Sequence, residues 1–78
     1  MIKEVDTIVL SHDIDEYGLK KGDIGVVVHV YPDGAAYEVE FVTADGRSIA
    51  VLTLDLNDIR LMSSTEILHV REVSRQAG

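Results

Sequence analysis

Three histidines, two glutamates two positions apart and five serines are the residues of this 78-residue chain whose types could do chemistry. His12, His29 and His69, joined with Asp13, Asp15 and Glu16, would offer the nitrogen and oxygen donors of a metal site. No two of the histidines have the spacing that one helix or one hairpin turn brings together. Residues 13–16 also lack the Asp-x-Asp-x-Asp-Gly regularity of a calcium loop. Glu38 and Glu40 would project from one face of a strand about 6.5 to 7 Å apart, a separation that suits paired carboxylates. Such a pair needs a cleft and an acid whose pKa burial has raised. An outward sheet face provides neither, so the two are read as solvated. Ser11, Ser48, Ser63, Ser64 and Ser74 lie in no Gly-x-Ser-x-Gly elbow and in no interpretable order with a histidine and an acid. The glycines mark turns and form no phosphate-cradling loop ahead of a helix. The expectation is no catalytic residue, no metal and no cofactor.

The elements that would have to position any site are strands. Residues 5–10 read as a first strand, with Ile8 and Leu10 on one face and Thr7 and Val9 on the other. A long acidic excursion, residues 11–23, follows. Residues 24–31 are dense in β-branched side chains, which favour a pleated surface over a helix. Pro32-Asp33-Gly34 then reverses the chain. Residues 37–42 alternate strictly, with Tyr37, Val39 and Phe41 on one face and Glu38 and Glu40 on the other. Asp45-Gly46 closes a second hairpin into residues 48–54, apolar almost throughout, which predicts a strand covered on both sides or paired by the tail. Residues 55–58 carry the capping and turn residues of a single 3₁₀ turn, and 59–62 read as a short closing strand. This order is that of a five-stranded SH3-like barrel, an all-β fold, with a 3₁₀ turn before its last strand.

The barrel is expected over residues 1–62, followed by a C-terminal extension, 63–78, that packs on the barrel or on a partner. Ser63-Ser64-Thr65-Glu66 could cap a helix, while residues 67–73 alternate tolerably as a strand, and both readings stay open. Residues 74–78 are expected to fray.

A chain of this length holds one domain, with a core that must be mainly aliphatic because it contains one Phe, three Tyr and no Trp. The absence of cysteine removes disulfides, thiolate zinc sites and thiol catalysis. The first residues, broken by Glu4 and Asp6, lack the pattern of a signal peptide, and no stretch has the length of a membrane span. A cytoplasmic location is expected. Fourteen acidic against seven basic side chains give a net charge of −7. A field of that sign repels phosphate backbones and attracts cationic partners.

Residues 6–10, 18–25, 37–41 and 66–72, taken together, resemble domain-of-unknown-function family 4926 of small bacterial proteins. The resemblance implies SH3-like architecture and a bacterial cytoplasmic setting, and supplies no catalytic residue. A looser likeness runs to KOW-type barrels, in which a Lys-Gly-x-x-Gly turn opens a Val-rich strand as Lys21-Gly22-Asp23-Ile24-Gly25-Val26-Val27 does. Many KOW domains bind RNA or ribosomal proteins through a basic face, which this composition lacks. Residues 21–41 are also similar to the barrel of the nitrile hydratase β subunit and to the ferredoxin–thioredoxin reductase variable chain, which implies a docking role.

The sequence therefore predicts a non-enzymatic protein-interaction module, an accessory or neutralising partner of another bacterial protein. A KOW-like nucleic-acid or ribosome-associated domain and a small accessory subunit of an enzyme are the alternatives. A basic protein partner is expected, with homo-oligomerisation open and neither nucleic acid nor membrane favoured. The predicted partner surface has two parts. One is the acidic loop with Asp13, Asp15, Glu16 and Tyr17, whose charges would meet a basic patch. The other is Ile67, Leu68, His69 and Val70, an apolar run outside a completed barrel that must pack on its own domain, on a copy or on a partner.

Overall fold

The computed structural model describes residues 2–73. Five strands, β1 (Thr7–Leu10), β2 (Ile24–Val30), β3 (Tyr37–Val42), β4 (Ser48–Leu54) and β5 (Ile59–Leu61), form one antiparallel sheet in the order β4-β3-β2-β1-β5. That is the all-β, five-stranded arrangement expected of a small barrel-like domain. Among the described residues the helical content is two 3₁₀ turns, Asp15–Tyr17 and Pro32–Gly34, and no helix is long and apolar enough to cross a membrane.

The alternation read in β3 is the alternation found. Tyr37, Val39 and Phe41 are buried and face Leu54, Leu52 and Ala50 across the β3–β4 ladder. Ile8, Leu10, Val27 and Ile59 complete the centre of the core, and Leu19 and Ile2 plug it from the loop and the N-terminal segment. Gly25 faces Ile8 on β1. A Cβ built on it would lie 2.6 Å from Val39 Cγ1 and 2.8 Å from Phe41 Cε1, so glycine is there because the backbone passes close over those two side chains. In the β2–β3 turn Asp33 and Gly34 take φ of 63° and 64°, the left-handed conformations that Asp-Gly tolerates.

Several expectations change. The first strand begins at Thr7, not residue 5. A turn precedes it, in which Asp6 N–H donates to the Lys3 carbonyl (3.1 Å) and the Asp6 carboxylate accepts from Lys3 N–H (2.8 Å). That turn puts Val5 at φ 71°, a conformation that crowds a β-branched side chain. Residues 48–54 are not covered on both sides. Among the described residues β4 pairs with β3 alone and forms an edge of the sheet. The 3₁₀ turn expected over residues 55–58 is a plain hydrogen-bonded turn, in which the Asp55 carbonyl accepts from both Asp58 N–H (2.9 Å) and Ile59 N–H (3.3 Å). Residues 67–73 form neither of the two elements considered for them, helix or strand. The fraying expected of residues 74–78 lies outside the described residues.

Candidate interaction site

The long loop between β1 and β2 is closed at its base by reciprocal bonds, Leu10 N–H to the Asp23 carbonyl (2.8 Å) and Gly22 N–H to the Leu10 carbonyl (2.9 Å). Farther out, Ile14 and Leu19 form a β-bridge around the Asp15–Tyr17 turn, and buried Leu19 anchors it to the core. Asp13 is part of this scaffold, since its carboxylate accepts the Lys21 N–H at 2.8 Å. Lys20 Nζ lies 3.4 Å from Asp15 and 3.9 Å from Asp13. Glu16 and Tyr17 project from the tip, exposed.

Asp23, at the loop's last position, is 8% exposed and is the one buried charged side chain among the described residues. Its carboxylate accepts the Lys20 N–H at 2.8 Å. The other partners come from the far end of the chain. Arg71 grips it with two donors, Nε to Oδ1 at 2.7 Å and Nη2 to Oδ2, and Nη2 also donates to the Gly18 carbonyl at 2.9 Å. His69 Nε2 lies 3.2 Å from Oδ1. Burial pushes the Asp23 carboxyl up, but the Arg71 hydrogen bond, the Lys20 N–H and the charges of Arg71 and His69 outweigh it and hold the group below the usual carboxylate range.

The tail is fixed a second time at Glu66. Its carboxylate accepts from the two terminal guanidinium nitrogens of Arg60, Nη1 (2.9 Å) and Nη2 (2.7 Å), and from the Ser63 N–H (2.7 Å), which together hold its pKa down to about 2. Between the Glu66 and Arg71 clamps run residues 67–70. Ile67, Leu68 and Val70 are 96%, 66% and 92% exposed, so an apolar strip faces outward. With Val9, Ile24 and Met62, its Ile67 and His69 line a cleft of about 180 Å³.

Of the predicted surface residues, the structure brings the loop and the tail together, at Asp23 and Gly18. His69 serves the clamp, and Ile67, Leu68 and Val70 are displayed. The sequence reading missed Asp23, Arg71, Arg60 and Glu66. The acid and base that flank residues 67–70 were visible, but their partners, Arg60 and Asp23, lie outside that run.

The other candidates separate. His12 places its Nδ1 2.9 Å from the Asp13 carbonyl and its Nε2 2.7 Å from Asp58, so both ring nitrogens face acceptors and its pKa is raised, chiefly by Asp58. His29 lies 3.8 Å from Glu4. The three histidines thus meet three different carboxylates. Glu38 accepts from Thr53 Oγ1 (2.6 Å) and Tyr31 Oη (2.5 Å), bonds that lower its pKa, the reverse of what a general acid needs. Among the described residues no three His, Cys, Asp or Glu side chains are grouped to hold a metal ion. A separate apolar groove of about 860 Å³ lies between the β2–β3 turn and β5, lined by Ile2, Val30, Tyr31, Tyr37, Ile59 and Leu61 among others.

No curated protein and no solved structure matches the chain. The clamp spans two parts of the sequence, with Gly18, Asp23 and Arg60 inside the family-matched region and Glu66 and Arg71 beyond it. Residues 4–61, which carry all five strands and the loop that ends at Asp23, match the model of a domain of unknown function, DUF4926, and the chain belongs to that family.

Proposed function

We propose that this protein is a non-enzymatic protein-interaction module, an accessory or neutralising partner of a basic bacterial protein. The observation that carries the reading is the apolar strip held between two ion-paired clamps. Exposing Ile67, Leu68 and Val70 to water forgoes the burial energy of three aliphatic side chains, roughly 1.5 kcal/mol or more for each. The Arg60–Glu66 and Arg71–Asp23 contacts fix the strip in that position beforehand, which lowers the ordering cost of binding. The acidic loop beside it and the net charge of −7 favour a cationic partner. The nucleic-acid alternative finds less support. Lys20 and Arg60 are engaged by carboxylates, and Arg47 sits apart in the β3–β4 turn.

The test starts with immobilised protein and bacterial host extract at low and raised salt. A retained protein is identified, purified and titrated against the wild type and the Ile67→Asp/Val70→Asp variant. A basic partner whose affinity falls about tenfold or more in the variant supports the reading. Equal affinity for wild type and variant, or no salt-sensitive basic partner at all, overturns it.

A further inference from the structure

We infer that β4 is a self-association edge, pairing antiparallel with β4 of a second copy so that two five-stranded sheets join into one. β4 is hydrogen-bonded to β3 on one side only, and among the described residues no backbone group outside β3 bonds to it. Its seven residues, Ser-Ile-Ala-Val-Leu-Thr-Leu, include no charge, no proline and no glycine. Solitary soluble proteins blunt such an edge with lysine, proline, a bulge or extreme shortness. The opposite edge follows that rule, since β5 has three residues with Arg60 at its centre. β4 does not. The irregularity in its pairing falls between Phe41 and Val42, at its start, and leaves residues 50–54 in unbroken register. Val51 stands 50% exposed on the outer face.

The occupant follows from the charge distribution. An uncharged strand run antiparallel against itself is self-complementary and closes as a two-fold dimer. The nearest like charges are Glu38 and Glu40, one strand in from the edge on each copy, opposite Thr53 and Val51. Across the joined sheets they are separated by three strand spacings, about 14 Å, which exceeds the screening length of roughly 8 Å at physiological salt. Repulsion between two copies of net charge −7 is therefore felt at low salt and suppressed at higher salt. The dimer strengthens as salt is added, whereas the basic-partner contact proposed above weakens. A single strand pair also buries less than a standard interface of about 1,600 Å², so the association is weak and reversible.

Sedimentation velocity on the full chain up to about 1 mM, at low and at raised salt, tests this. The expected result is a monomer–dimer equilibrium that tightens with salt, with amide exchange at residues 50–54 slowing as concentration rises. Val51→Lys, and separately Thr53→Lys, place an edge lysine on an exposed position and should remove the dimer while the circular dichroism spectrum is kept. Ile67→Asp should leave the dimer intact, so this inference and the partner reading fail separately. A monomer at every concentration and salt overturns the inference. So does a dimer that loosens with salt, survives both lysine variants or is lost with Ile67→Asp. Protection of residues 50–54 only when a basic partner binds also overturns it, in favour of strand addition by that partner.

Discussion

Cutting the Arg71–Asp23 contact tests the clamp most directly. The side chains are 22% and 10% exposed, so the pair lies between two regimes. Breaking a fully buried ion pair costs about 3–5 kcal/mol, and an exposed pair contributes at most about 1 kcal/mol. Two effects limit the loss here. Without Arg71 the strip detaches and recovers part of its backbone entropy, and Asp23, uncovered, is rehydrated. The expected cost of Arg71→Ala is therefore about 1–2 kcal/mol, or a fall in Tm of roughly 4–16 °C for a domain of this size.

Asp23→Asn should cost a similar amount, and the double variant little more than either, because one docking event is lost in all three. The pH dependence has a definite sign. The folded-state pKa of Asp23 lies below the ordinary 3.8, so its contribution is complete above that value and disappears as pH falls through the depressed one. The stability gap between wild type and Arg71→Ala should accordingly close on acidification below about pH 4. Chemical denaturation across pH, with NMR chemical shifts of Gly18, Asp23 and Arg71 to report docking of the tail, is the assay. Additive losses, or a variant of unchanged stability in which the Gly18 and Asp23 shifts do not move, would refute the reasoning.

Three further outcomes are expected. Val5→Asn should raise stability by about 1 kcal/mol, since asparagine tolerates the positive φ that strains valine and the side chain is largely in solvent; thermal melting decides. Gly25→Ala should cost about 1–3 kcal/mol, because the added Cβ would overlap Val39 and Phe41, and an unmoved transition would contradict the close approach. Asp58→Asn should lower the His12 pKa, followed by NMR. In the wild type the raised pKa means His12 contributes below its unfolded value of 6.5 and that contribution fades as pH rises through the folded one.

The meander was the most legible part of the chain. Tyr37, Val39 and Phe41 announce their face by strict alternation, and Asp-Gly at residues 33–34 and 45–46 marks both reversals, because these are local signals. The start of β1 is placed too early by the sequence because Val5 is β-branched and invites a strand, while a turn closed by Asp6 overrides it. β4 looked doubly covered because its apolar residues resemble those of a central strand, and strand order is a long-range property that composition does not encode. The candidate site was half legible. Loop and strip were visible as charge and hydropathy, but the clamp joins Asp23 to Arg71 across 48 positions, and no local pattern links them. The tail alternated well enough for a strand, yet its course is set by ion pairs at its ends and not by its own propensity.

The placement of β1 between β2 and β5 governs how the protein is made. Ile8 pairs with Leu61, so β1 waits for a strand made only after the whole β2–β4 meander. Ribosomes deliver about 5–20 residues each second, and β2 and β3 can join β1 early in that delivery. The growing chain then carries an unfinished sheet until β5 arrives, and Arg71 can seat only after Gly18 and Asp23 are in place. The segment that carries Arg71 thus completes a loop made well before it, and a nascent chain halted before Ile59 lacks both the closing strand and the clamp. Such a fragment would expose the edge of β1, making it a substrate for chaperones and proteases that the finished molecule is built to escape.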